Sequence, residues 1–132
     1  MTVALAIACG GDTKPPQLRV TSREWSFAPA TGSLKPGRNE FVLANEGTLA
    51  HELIVLKTDL PPSQLPMQNG KADEEKLHVV GRVPVASAGA TGHASMVLSP
   101  GKYLLICNLV DQGATNVSHL DQGMVASITV SQ

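Results

Sequence analysis

From Leu18 to Glu24 the chain alternates, with Leu18, Val20 and the small Ser22 on one side and Arg19, Thr21 and Arg23 on the other. A period of two predicts a half-buried strand. Trp25 and Phe27 follow and are expected to cover one end of a core. A Pro-Gly turn over Ser33 to Gly37 leads to a second strand at Asn39 to Ala44, and Asn45-Glu46-Gly47 marks the next turn. His51 to Lys57 differs: Leu53 and Val55 fall on one face, Ile54 and Leu56 on the other. A strand apolar on both faces belongs inside a sheet covered on both sides. Asp59 to Gly92 reads as irregular, with a short helix at Asp73 to Leu77. Alternation resumes at Ala94 to Leu98, and a tight Pro100-Gly101 turn enters the strongly apolar strand Lys102 to Leu109. After a polar loop, Gln112 to Gln122, the last strand aligns Met124, Ala126, Ile128 and Val130 on one face. The pattern predicts an all-β fold, a Greek-key β-sandwich with one irregular, partly helical insertion.

Composition narrows the function. The chain has 132 residues, 42% hydrophobic and 16% charged, enough for one domain with a sizeable core. A net charge of -1 gives no electrostatic footprint for nucleic acid, and 3% aromatics leave little for stacking bases or sugars. No apolar run approaches the ~20 residues needed to span a bilayer.

Residues 1–16 read as a leader and linker, and 17–132 as the domain. Val3 to Ala8 is an apolar run ending at Cys9 and followed by Gly10-Gly11-Asp12, similar to the end of a bacterial lipoprotein signal, where the Cys is lipidated. The run is short and lacks a basic start, unlike the usual ~15–30-residue signal; the plain alternative is an apolar tail. The lipoprotein reading puts the chain outside the cytoplasm, in the periplasm or on the outer face of the cytoplasmic membrane, attached by a lipid on Cys9. A Cys9–Cys107 disulfide is not expected. Cys107 is then an unpaired thiol in an exported protein, which needs a reason.

That reason lies in four residues at strand ends: His51, Cys107, His119 and Met124. Taken singly, each has a plain explanation: a surface His, an inert buried Cys, a core Met. Together, two imidazoles, a thiolate and a thioether suit copper, the trigonal His₂Cys set with a weak axial Met of an electron-transfer site. Structural zinc prefers four strong N or S ligands, and Met is a poor one. His78 and His93 fall outside the pattern and read as surface residues. Asp73 to Glu75 reads as a solvated acidic face, with a docking patch as the lesser alternative.

Three stretches resemble the cupredoxins, the type 1 copper proteins related to plastocyanin, azurin and sulfocyanin. They are Asn45-Glu46-Gly47-Thr48-Leu49-Ala50-His51, Pro100 through Tyr103 to Cys107-Asn108, and His119-Leu120-Asp121-Gln122-Gly123-Met124. The resemblance implies one copper ion, alternating Cu(I) and Cu(II), held by His51, Cys107, His119 and Met124, with Tyr103 tying a corner of the sandwich. It implies an electron carrier rather than an enzyme, since the additional His-Cys-His arrays of copper enzymes are missing. Redox proteins such as cytochromes or a terminal oxidase or reductase are the implied partners, and a monomer the implied state. Electrons would pass through His119, beneath an apolar patch of Leu109, Val110 and Leu120.

Two departures stand out. Eleven residues separate Cys107 from His119, far more than in the family, and this insert is expected to fold outward and still return His119. Glu52 follows His51 where many relatives have Asn; its side chain should point to the opposite face, so it is not read as a ligand. The rival functions are a copper chaperone or storage module, for which the long loop would open the site, and a metal-free interaction domain.

Overall fold

The structure, a computed structural model, describes residues 14–132, so the lipoprotein-like Cys9 segment lies outside the described residues. Along the chain run β1 (Gln17–Arg23), β2 (Ser26–Pro29), β3 (Ser33–Leu34), β4 (Gly37–Asn45) and β5 (His51–Lys57). An insertion with the two-residue strands β6 (Met67–Gln68) and β7 (Lys71–Ala72) precedes β8 (Val79–Ala86), β9 (Thr91–Leu98) and β10 (Gly101–Ile106). The short pair β11 (Val110–Asp111) and β12 (Val117–Ser118) stands before the last strand, β13 (Val125–Val130).

These strands build a sandwich. One sheet has the order β2-β1-β4-β9, the other β3-β13-β10-β5-β8. The pairs β1–β4 and β13–β3 are parallel, the rest antiparallel. The chain crosses repeatedly from one sheet to the other, so apart from β1 and β2 the strands adjacent in a sheet are not consecutive along the chain. Inward residues alternate as their period requires: Leu18 and Val20 from β1, Phe41 and Leu43 from β4, Leu53 and Val55 from β5, and Tyr103 and Leu105 from β10 meet in the main core. Each such buried side chain contributes roughly 1.5–3 kcal/mol of transfer free energy.

A second core explains the two-faced strands. Ile54 and Leu56 of β5 and Leu104 and Ile106 of β10 point away from the sandwich interior and pack with Leu65, Ala72 and Leu120. Leu65 and Ala72 come from the insertion, which thus roofs the outer face of the second sheet. Tyr103 fastens the corner as expected, its hydroxyl donating to Ser99 O at 2.6 Å and accepting from Ser99 N at 3.0 Å.

The segment Asp59 to Gly92 is more regular than its sequence implied. It contains all of β8, antiparallel to β5, and its helical content is two one-turn 3-10 helices, Pro62–Gln64 and Glu74–Lys76. β8 was hidden by Gly81 and Pro84, which argue against an interior strand. Its place at the sheet edge tolerates Pro84, and Gly81 packs against Met96, where an added Cβ would fall 2.9 Å from the thioether sulfur. Ser33–Leu34, expected as part of a turn, forms β3 on β13. The acidic segment is not simply a solvated face: Glu74 pairs with Arg82 and accepts from Asn108 Nδ2 at 3.0 Å. His78 and His93 are exposed, as expected.

Candidate metal centre

Three loops at one end of the sandwich converge. The first runs from β4 to β5. Asn45, at its base, donates from Nδ2 to Leu49 O at 2.8 Å and Ala86 O at 2.9 Å, and accepts from Gly47 N at 2.9 Å. These bonds fold residues 45–50 into a closed turn that delivers His51 at the start of β5. The second is the end of β10, where Cys107 N donates to Met124 O at 3.2 Å. The third is the tight turn from His119 to Met124, closed by Met124 N donating to His119 O at 3.1 Å. Gly123 occupies φ 118°, a conformation that favours glycine, so the turn can be this tight.

The insert between Cys107 and His119 forms a hairpin. β11 pairs with β12, and His119 N donates to Leu109 O at 3.0 Å, so the extra residues leave the site and return to it at one point. The five residues 112–116 form an exposed tip. The insert projects as expected, but its base has an additional role. Asp111 Oδ2 lies 2.8 Å from His119 Nε2.

His51, Cys107 and His119 are each 0% exposed, and their potential ligand atoms all lie within 4.8 Å of one another. His51 Nδ1 is 3.2 Å from His119 Nδ1, which is 3.4 Å from Cys107 Sγ. Met124 is equally buried beside them and joined through its backbone to both Cys107 and His119. The structure thus brings together the side chains of His51, Cys107 and His119, with Met124 adjoining them through its backbone.

Polar partners fix the imidazoles. His51 Nε2 lies 2.8 Å from Glu24 Oε1, and Glu24 in turn accepts from Thr48 N at 2.9 Å and Leu49 N at 2.9 Å. The Thr48 amide, joined by the Leu49 amide, the His51 imidazole and the Thr48 hydroxyl, holds the Glu24 carboxyl down at about 2 against an opposing desolvation. An ionised carboxylate only accepts, so the Nε2 side of His51 faces an acceptor while Nδ1 faces the cluster. Burial pushes the Cys107 thiol up to about 11, although the backbone N–H groups of Glu52 and Leu109 favour the thiolate. Convergent imidazole nitrogens beside a buried sulfur suit a cation, and these N and S donors fit copper or another soft to borderline metal.

Glu52 points away from His51, as its strand position required. It is nearly buried, and burial raises its carboxyl above the ordinary value while Arg82, 3.7 Å away, opposes the rise. Trp25, half-buried, stands edge-on to His119 with ring centroids 5.1 Å apart.

One expectation fails. His119 does not lie under an exposed apolar patch: Leu109 and Val110 are half-buried, Leu120 belongs to the second core, and Asp111 and Trp25 flank the imidazole. The long insert supplies this cover. Glu24 and Asp111 were missed by sequence reasoning, for Glu24 is 27 residues from His51 and neither carboxylate belongs to a local motif. The sequence held one indirect signal, Gly47: a Cβ there would fall within 2.9 Å of the Glu24 carboxylate carbon.

No protein-family model matches the chain, and no curated protein matches it in sequence. Solved structures do. A reduced auracyanin from the photosynthetic bacterium Roseiflexus castenholzii aligns with TM-score 0.63 at 13% identity, over 91% of this chain and 100% of its own. Auracyanin A, a "blue" copper protein of Chloroflexus aurantiacus, aligns with TM-score 0.61 at 16% identity, over 89% of this chain and 100% of its own. Auracyanin B aligns with TM-score 0.60 at 19% identity, over 92% of this chain and 93% of its own. At these identities the likeness establishes the architecture, and with the strand order above it identifies the fold of this chain as the cupredoxin β-sandwich.

Proposed function

We propose that this protein is a one-electron carrier holding a single copper ion between His51 Nδ1, His119 Nδ1 and Cys107 Sγ, with Met124 as a weak fourth ligand. The observation that carries this reading is the buried His51–Cys107–His119 cluster, its donor atoms within 4.8 Å of one another. Copper bound there supplies the Cu(I)/Cu(II) couple, the soft thiolate and thioether favouring Cu(I) and the imidazoles accommodating Cu(II). The chain's task is to change little between the two states. Glu24 and the 45–50 turn hold His51, the 119–124 turn holds His119 and Met124, and the sheet holds Cys107. Burial excludes water and small reagents from the sulfur. A fully buried cluster, with His51, Cys107 and His119 each 0% exposed, supports a carrier rather than an enzyme.

The same burial favours a carrier over a copper chaperone, which needs an open, exchangeable site. Trp25, half-buried and edge-on to His119, offers the surface through which an electron reaches the centre. No helix among the described residues is long and apolar enough to cross a membrane. An extracytoplasmic location, with a lipid on Cys9 and a cytochrome or terminal oxidase or reductase as partner, completes the reading.

The test is the visible and electron paramagnetic resonance spectrum of the Cu(II)-loaded protein beside Cys107→Ser and His119→Ala. An intense thiolate-to-copper band, lost in the Ser variant and lost or strongly shifted in the Ala variant, is expected. A weak, ordinary Cu(II) spectrum from the wild type sinks the electron-carrier reading.

A further inference from the structure

Both imidazoles of the cluster are backed by a carboxylate. Glu24 Oε1 stands 2.8 Å from His51 Nε2, and Asp111 Oδ2 stands 2.8 Å from His119 Nε2. The two carboxylates come from unrelated parts of the fold, Glu24 from just after β1 and Asp111 from β11 at the base of the long hairpin. Their surroundings also differ. Glu24 is 22% exposed and bound by the Thr48 and Leu49 amides, whereas Asp111 is 44% exposed. We propose that Glu24 and Asp111 are a pair of positioning carboxylates that hold His51 and His119 as Nε2–H imidazoles with both Nδ1 atoms turned inward, and that their charge favours the oxidised metal. The statement about charge rests on the copper reading above; the statement about the imidazoles does not.

A carboxylate facing a ring N–H fixes the tautomer and the ring orientation and raises the basicity of the opposite nitrogen, as it does behind metal-bound histidines generally. Two anions beside the ring edges also stabilise the more positive metal state, and partial burial weakens solvent screening of that interaction. Both effects lower the reduction potential relative to a site whose imidazoles face water or backbone carbonyls. The hairpin thereby acquires a purpose: among the described residues, Asp111 of β11 is the hydrogen-bond partner of His119 Nε2.

The experiment uses Glu24→Gln and Asp111→Asn, which retain an acceptor oxygen but remove charge, and Glu24→Ala and Asp111→Ala, which remove both. Glu75→Gln, an exposed carboxylate on the insertion, controls for net charge. Long-range ¹⁵N–¹H correlation spectra of the metal-free protein are expected to show protonated Nε2 and bare Nδ1 on both His51 and His119. Each Ala variant should lose that signature at its own ring, and the amide variants should keep it. In the copper-loaded proteins, each amide variant should retain the intense thiolate band while Cu(II) affinity falls about tenfold relative to Cu(I). That ratio corresponds to a rise in midpoint potential of about 59 mV. Glu75→Gln should leave the potential where it was.

Protonation on Nδ1 of either ring in the metal-free wild type overturns the proposed orientation. Midpoint potentials unmoved in both amide variants, with the band intact, overturn the charge effect and leave the copper reading standing. Loss of the band in the wild type removes the copper reading, and the metal-free spectra still decide the orientation.

Discussion

Asn45 offers a demanding test of how the first ligand loop is held. Its side chain is 2% exposed and makes three hydrogen bonds, two donated to Leu49 O and Ala86 O and one accepted from Gly47 N. Asn45→Ala removes all three. The Ala86 carbonyl lies in a buried position and loses its side-chain donor, at a cost of about 1–3 kcal/mol. Leu49 O and Gly47 N are part-buried and can turn to water, each at about 0.5–1.5 kcal/mol. A total of about 4 kcal/mol follows, which at an m-value of about 2 kcal/mol/M lowers the urea midpoint of the metal-free protein by roughly 2 M.

The near-isosteric Asn45→Asp should be at least as damaging. It keeps the acceptor toward Gly47 N but sets a carboxylate oxygen against two carbonyl oxygens, where the amide nitrogen now stands at 2.8 and 2.9 Å. Copper affinity should fall in both variants, since Thr48 and Leu49 of the same turn hold the carboxylate behind His51. The reasoning would be refuted by a loss below about 1 kcal/mol in Asn45→Ala, or by Asp proving more stable than Ala.

Other perturbations separate scaffold from site. Tyr103→Phe removes the hydroxyl that bonds both Ser99 N and Ser99 O, and should cost about 1–2 kcal/mol in urea unfolding while leaving the copper spectrum unchanged. Gly47→Ala should push the Glu24 carboxylate off His51 and weaken copper binding by about tenfold, measured by competition with a chelator. Trp25→Ala removes the ring packed edge-on against His119, a contact worth about 0.5–1.5 kcal/mol. It should slow electron self-exchange and speed copper loss to a chelator; unchanged rates would mean that Trp25 neither seals the site nor conducts to it.

How far the sequence reached depended on whether a feature is local. Leu18, Val20 and Ser22 of β1 and Ile128 and Val130 of β13 face inward as their alternation required, because a pleated strand sends successive side chains to opposite faces. The two-faced pattern of His51 to Lys57 correctly marked a strand covered on both sides, but not what covers it. β8 escaped notice because Gly81 and Pro84 break the strand pattern, and only pairing at a sheet edge makes them acceptable.

The donor types were likewise readable: His51, Cys107, His119 and Met124 carry their chemistry in their identities and their order. Their convergence is a property of the sandwich, in which sequence-distant strands end at one rim. The carboxylates were beyond sequence reading altogether. Glu24 meets His51 because the 45–50 turn folds back over the end of β1, and Asp111 meets His119 because the insert closes as a hairpin. The chain by itself determined which atoms are available to hold a metal and which faces of its strands are apolar. Tertiary structure decided which way the imidazoles face and how the site is covered, because those depend on hydrogen bonds between residues that only the completed fold brings within reach.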